Sequence, residues 1–404
     1  TYSPADGASG DAADLGLLSP VSAGTTGESL TGDRAVVAAM VRAEVALLHA
    51  LVETGVAPSE VASVAETIAA VPLDVRGLAT AATEGGNPVI PLVDALRAAV
   101  SEEHATWVHY GATSQDILDT ALMLVAAQVA RRIEEDLTRL GSTLATLADE
   151  TRSVPMVART LTQQAMPTTL GMRVSGWLAG VHDAVRTVRT CTTLPVSLGG
   201  PVGTAAAYGA DGPTVVEAFA RRLGQRAPVS SWHTRRTPVL GLSAALTVAG
   251  AACGKIATDL LVMGQSEVGE VSEPTAGPSS AMTHKANPAQ AVLVASAARQ
   301  LPALASVLGA CAAAEQERPA GAWHAEWQPL RTMLRLASGA VERTADVMPG
   351  VRFDHEAMRR NLERLTAAVG ADDTWAKAQT AHVDVWVDRV LAQHQEVFAD
   401  DTRA

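Results

Sequence analysis

Three phenylalanines and three tyrosines are all that a chain of 404 residues carries, and aromatic residues make up 3% of it. With 48% of the residues hydrophobic, the core must be filled by alanine, valine and leucine, which suits closely packed helices. Cysteine is as scarce. Cys191, Cys253 and Cys311 lie far apart with no C-x-x-C pair. That spacing indicates neither a disulfide framework nor a thiolate metal site, and buried, reduced thiols in a cytoplasmic protein are expected. A basic surplus is also missing: the net charge of −12 leaves nothing over to neutralise nucleic-acid phosphates. No uncharged apolar run reads as a membrane span, which needs roughly 18 residues. The first 30 residues, rich in Gly, Ser, Ala and Thr, read as an irregular arm and not as a secretory leader. There is no P-loop, no G-x-S-x-G elbow, no H-E-x-x-H and no G-x-G-x-x-G after a strand. The ten histidines show no metal-ligand spacing, so neither metal nor cofactor is expected.

What the chain does have is helical periodicity. Val36, Val37, Met40, Val41, Val45, Leu48 and Leu51 recur at spacings of three and four, and Gly55 and Pro58 end the run. Shorter helices are expected around 58–71 and 89–101. A long one should run from Ser114 to about Asp149, with Ile117, Ala121, Leu124, Val125, Ile133, Leu137 and Leu140 on its apolar side. Further helices are expected at about 168–190, 213–225, 239–268, 288–315, 326–347, 354–368 and 374–398, with a Gly/Pro loop at 194–203. No strand-turn-strand alternation stands out, and the expected class is all-α. Helices this long outrun a small domain. An extended bundle over 111–345 is therefore expected, between an N-terminal arm and helical region (1–110) and a short helical C-terminal piece (346–404).

Polar stretches interrupt these patterns. In WVHYGATSQD (107–116), Thr113 stands three residues before Asp116, the pattern of a helix N-terminus. The same free N–H groups and two hydroxyls make a carboxylate site. RTLTQQAMP (159–167) reads as a polar turn before a long helix. WHTRR (232–236) pairs two arginines, either on a solvated face or gripping a carboxylate. GPSSAMTHKANP (277–288) carries Ser279, Lys285 and Asn287. A serine acts as a base when its alkoxide is stabilised by backbone N–H groups and a cation. ERPAGAWHAEW (317–327) is packing or a pocket wall. His49 and His182 fall inside helical patterns and read as structural.

In this order, HYGATSQDILDTA (109–121), RTLTQQAMPTTLG (159–171), QSEVGEVSEP (265–274) and GPSSAMTHKANP resemble the aspartase/fumarase superfamily, which includes adenylosuccinate and argininosuccinate lyases. GLLSPVSAGT (16–25) and ERPAGAWHAEWQPL (317–330) bring the resemblance nearest to its bacterial 3-carboxy-cis,cis-muconate cycloisomerases, over roughly residues 15–365. The resemblance implies a homotetramer around a central long-helix bundle, with each active site built from three subunits. It implies anti addition or elimination on a small di- or tricarboxylate. A base takes a proton beside a carboxylate, an aci-carboxylate dianion forms, and a group leaves the next carbon. It implies Ser279 as that base. It implies Thr113, Ser114, Gln164, Arg236, Lys285, Asn287 and Arg318 as the substrate-binding set. No cofactor and no metal enter, and neither nucleic acid nor membrane is a partner.

The chain also departs from the family pattern. Thr283 stands where the loop usually has proline, Ala286 where an arginine follows the lysine, and Pro278 where a glycine is usual. Leu161 takes the place of the histidine that follows Arg-Thr in adenylosuccinate lyases, and the chain is short beyond Asn361. Ala286 removes a cation that a tricarboxylate would use. Leu161 removes a general acid that a poor leaving group would need. The expected reaction is therefore elimination from a substituted succinate to fumarate with a good leaving group, such as the nitrite of nitrosuccinate. Lactonisation of carboxymuconate is the alternative. A catalytically silent relative is a third reading, disfavoured by Ser279, Lys285 and Asn287 standing together.

Overall fold

The computed structural model describes residues 16–275, 277, 282 and 285–399. The chain opens with α1 (Thr26–Leu30), α2 (Asp33–Glu53), α3 (Ala62–Ala69), α4 (Val75–Gly85), α5 (Val89–Ala98) and α6 (Glu102–Ala105). The longest helix, α7 (Ser114–Glu150), follows, then a hairpin of β1 (Pro155–Thr160) and β2 (Gln163–Thr169), and α8 (Leu170–Arg189). Next come α9 (Gly212–Leu223), α10 (Thr237–Met263), β3 (Val271–Ser272), α11 (Ala289–Cys311), α12 (Ala322–Val347) and β4 (Arg352–Phe353). The chain ends in α13 (His355–Ala368), α14 (Asp373–Thr380) and α15 (Val383–Ala399).

The long helices α7, α8, α10, α11 and α12 pack on one another, and α2 lies along α7. Alanine and glycine let them approach closely. A Cβ on Gly254 of α10 would sit 2.5 Å from that of Ala298 on α11. One apolar core runs from Val36 on α2 through Ile117, Leu124 and Ile133 on α7 to Met333 and Val341 on α12. A smaller cluster joins Val157 of β1 to Leu362 and Leu365 of α13 and Ala376 of α14.

The expected helical class holds for the described residues, with particular exceptions. The hairpin at 155–169 was not expected. Its strands are joined by only Leu161 and Thr162, both at positive φ (50° and 68°). Asn-Gly usually announces that turn geometry, and here no such pair is present. Helix α4 was also not expected; it is amphipathic, yet only Leu78 of it is buried. The helix expected to reach 268 stops at Met263, capped by Gly264. The single helix expected over 374–398 is two, α14 and α15. By length and composition, α2, α10 and α11 could each cross a membrane, which the demand for an uncharged run had hidden. In this fold they are bundle helices.

Candidate active site

Helix α7 begins where its sequence says it should. Thr113 is the N-cap, in extended conformation, and Asp116 Oδ2 accepts the Thr113 N–H at 3.0 Å. Asp116 does more than cap. Its carboxylate also accepts from the N–H groups of Gly199 and Gly200 (both 2.8 Å), from Ser197 Oγ (3.1 Å) and from His233 Nε2 (2.6 Å). A fully buried carboxylate with donors on both oxygens is well compensated for lost hydration. It pins the Gly/Pro loop 197–201 against the helix start. Gly200 sits there at φ +72°, and a Cβ on it would meet Gly111 O at 2.9 Å. Nearby, the Tyr208 hydroxyl donates to Tyr110 O, and burial pushes its phenol pKa up.

Arg318 reaches this helix start from the segment before α12. Its Nη1 donates to Thr113 Oγ1 at 2.9 Å and its Nη2 to Pro201 O at 3.0 Å. Arg318 is exposed, and Thr113 and Ser114 are half-buried at the surface. The first N–H groups of α7, two hydroxyls and a guanidinium thus converge on one open spot, an arrangement suited to a carboxylate.

Arg236 behaves differently from its neighbour in the sequence. It is 3% exposed, and its guanidinium lies 4.8 Å from the Trp232 ring. Nη1 donates to Asp119 Oδ2 (2.7 Å) and Trp232 O (3.5 Å), Nη2 to Asp119 Oδ1 (3.1 Å) and Glu326, and Nε to Glu326. All five N–H groups of the guanidinium are engaged. Burial works against its charge, but Asp119 and Glu326 outweigh burial and raise its pKa. Burial also lifts the Glu326 carboxyl, against the pull of Arg236. Within one chain, then, the Arg236 expected to grip substrate instead bolts α10 to α7 and α12, while the adjacent Arg235 is exposed.

The remaining expected residues lie elsewhere. Gln164 is exposed on β2, paired in register with Arg159. Lys285 is exposed, and Asn287 forms an antiparallel bridge with Gly277. Ser279 lies outside the described residues. Glu273 accepts from Gln290 N (3.1 Å) and Ala291 N (2.7 Å), capping α11. The loop and the hairpin belong to the same end of the bundle, because Arg159 and Glu270 form a two-pronged ion pair (2.8 and 2.9 Å).

That end is not the end where Thr113 sits. The 37 residues of α7 separate them. At about 1.5 Å per residue this is roughly 55 Å. A hairpin strand folded straight back would recover only about 20 Å of it. The structure therefore brings Thr113, Ser114 and Arg318 together, and Gln164, Lys285 and Asn287 to one far end, but does not join the two groups within one chain. Among the carboxylates that hold both groups, sequence reasoning saw Asp116 only as a cap and passed over Asp119, Glu270 and Glu326. A signal existed: Asp116 and Asp119 stand one turn apart in the apolar stretch DILDTALMLVAA, where an acid can only be buried and paired.

Known proteins resemble nearly the whole chain. Residues 19–302 match a family model described as Lyase. The chain is 46% identical over 366 residues to the nitrosuccinate lyase of Streptomyces davaonensis, covering 87% of this chain and 77% of that protein. It is 39% identical over 343 residues to the 3-carboxy-cis,cis-muconate cycloisomerase of Acinetobacter baylyi, covering 82% and 76%. The crystal structure of the 3-carboxy-cis,cis-muconate lactonizing enzyme from Pseudomonas putida superposes with a TM-score of 0.85 at 29% identity, over 95% of this chain and 99% of that one. With its ordered motifs, its bundle and these relatives, the chain belongs to the lyase family of the aspartase/fumarase superfamily.

Proposed function

We propose that the chain eliminates nitrous acid from nitrosuccinate to give fumarate. The observation that carries this reading is the 46% identity with a nitrosuccinate lyase over 87% of the chain. The site chemistry supports it. A proton beside a carboxylate is weakly acidic, so the aci-carboxylate dianion needs donors placed beforehand. The α7 N-terminus with Thr113, Ser114 and Arg318 holds one carboxylate of the substrate. Lys285 and Asn287 hold the carboxylate that becomes the dianion, and Gln164 borders the substrate. Ser279 takes the proton from the carbon beside that carboxylate. The electron pair closes the double bond, and nitrite leaves from the next carbon. Proton and nitrite together make nitrous acid. Nitrite leaves as an anion without protonation, so Leu161 at the hairpin tip in place of a histidine costs nothing.

The two groups of residues meet when copies of the chain pack with their bundles antiparallel, and we assign a homotetramer with shared active sites. Two observations support this. The roughly 55 Å length of α7 keeps the groups apart within a chain. Only 33% of the most apolar stretch of α11 is buried, and α10 exposes Gly241, Ala244, Val248 and Ala251 along one side. Small residues in such a stripe let a helix of another copy approach closely. In this assembly Arg236 acts from behind, by holding the wall that carries Thr113.

Turnover of carboxymuconate is the second reading, favoured by the TM-score of 0.85 with the lactonizing enzyme. A panel of nitrosuccinate, 3-carboxymuconate, adenylosuccinate, argininosuccinate, aspartate and malate, followed by ultraviolet absorbance of the product, separates the two. Fumarate from nitrosuccinate is expected; turnover of carboxymuconate alone would sink the first reading, and inactivity on every substrate would favour a silent scaffold. Ser279→Ala should lower turnover by about 10² or more with the fold intact. Near-normal activity would remove Ser279 from the mechanism.

A further inference from the structure

The stretch QSEVGEVSEP (265–274) leads into the catalytic loop but has been given no part in the chemistry. Its Glu270 is fully buried. Both carboxylate oxygens meet the fork of Arg159, at 2.8 and 2.9 Å, and Oε1 also accepts from Asn361 Nδ2 at 2.8 Å. Asn361 Nδ2 contacts Val268 O as well, at 2.9 Å. The backbone of Glu270 is fixed on both sides: its N–H donates to Met263 O (2.9 Å), and its carbonyl accepts from Asp354 N (3.0 Å). Arg159 is the register partner of Gln164 on the hairpin. Three residues after Glu270, Glu273 caps α11, and Gly277 then bridges to Asn287. One side chain therefore sits at the joint of three elements: the hairpin, the stem of the loop and α13.

A solvated pair would be worth little, but a buried, two-pronged one fixes geometry as well as charge. From this joint we infer that Glu270 is a positioning residue, which through Arg159 sets the hairpin bearing Gln164 and the loop stem bearing Lys285 and Asn287 as one rigid unit. This rests on the function proposed above. In the shared-site assembly, the hairpin and the loop of one chain enter two different active sites. The Arg159–Glu270 joint then serves both, so a change at one residue far from substrate moves two contributions at once.

The test uses the full chain with Glu270→Gln and Arg159→Lys. Each keeps some hydrogen bonding and removes the matched fork. The expected result is a kcat lower by about 10-fold or more, since small misplacements of reacting groups are costly, with KM changed by less than about 3-fold. The double variant should lose no more than the worse single one, because both remove the same joint. Independently of any substrate, hydrogen exchange should quicken over 163–169 and 285–291 together in either variant, and stay as it was over 113–125. Exchange that rises in only one of the two segments, or evenly over the whole chain, overturns the joint; so does unaltered kcat with unaltered exchange. If the wild-type chain turns over none of the panel, the proposed function fails, and the exchange experiment still decides the joint.

Discussion

At Arg236 a guanidinium faces two buried carboxylates, Asp119 and Glu326, and Trp323 Nε1 adds a bond to Asp119 Oδ1 at 3.0 Å. Removing the cation leaves two anions in a place water does not reach. Arg236→Met should therefore destabilise the chain by about 3–5 kcal/mol, the scale of a broken buried ion pair. Urea unfolding followed by circular dichroism would measure it, and an unmoved midpoint would mean that the cluster contributes nothing to stability. Arg318→Ala is a contrasting case. That side chain is exposed, so stability should hold, while under the proposed function KM should rise, as a substrate carboxylate would lose its fork. The difference between these arginines marks the limit of sequence reading. An arginine near a motif is visible in the chain; the carboxylates that claim it first, separated from it by about a hundred residues, become visible only in the fold. Asp116 was legible as a cap but not as the fastener of the 197–201 loop.

Among the elements, the long helices of the bundle were legible, and the short α4 and the hairpin were not. Helix α7 announces itself through Thr113 and its stripe, whereas α4 buries little, and the β1–β2 hairpin turns on Leu161 and Thr162 without a turn sequence. Helix α15 is held by contacts that sequence cannot supply. His182 of α8 is buried; its Nδ1 lies 3.0 Å from Gln393 Oε1, and its Nε2 lies 3.2 Å from His394 Nδ1. The glutamine oxygen can only accept, so His182 donates from Nδ1. Arg186 and Asp183 on α8 are the nearby charges, and Phe398 stacks close to Gly141 of α7. Burial lowers the pKa of His182 and of His394 below the ordinary 6.5. The unfolded chain then takes up protons before the folded one does. The stability that α15 draws from this contact is present above pH 6.5 and is lost as pH falls from there through the lowered folded pKa. Thermal midpoints between pH 5 and 8 should fall more steeply on the acid side for the wild-type chain than for His182→Gln; parallel curves would exclude the pair as the source.

For the whole molecule, the proposed site draws on both residue groups, and under that proposal their separation makes association a condition of activity. Val248→Arg would place a charge on the exposed stripe of α10. It should yield smaller particles by size exclusion that keep their helicity and lose turnover; an active, full-sized assembly would show that this face is not an interface. Mixing offers a second check. Arg318→Ala and Ser279→Ala chains damage opposite ends of the bundle. Equal co-assembly should restore roughly a quarter of the sites, those that draw each end from an intact chain. No recovery in mixed assemblies would argue that each chain builds its own site.

The length of α7 carries one more consequence. A helix is a screw as well as a rod. One inserted residue would lengthen α7 by about 1.5 Å and turn everything beyond it by about 100°. Leu137 and Leu140 would leave the core, and the hairpin bearing Gln164 would turn with the helix end. The same insertion beside Gly86 or Gly370, at helix ends, would be absorbed by the turn. Such a chain can change its loops freely, but its long helices must keep their residue count, because each is both the spacer and the dial that sets how its two ends face.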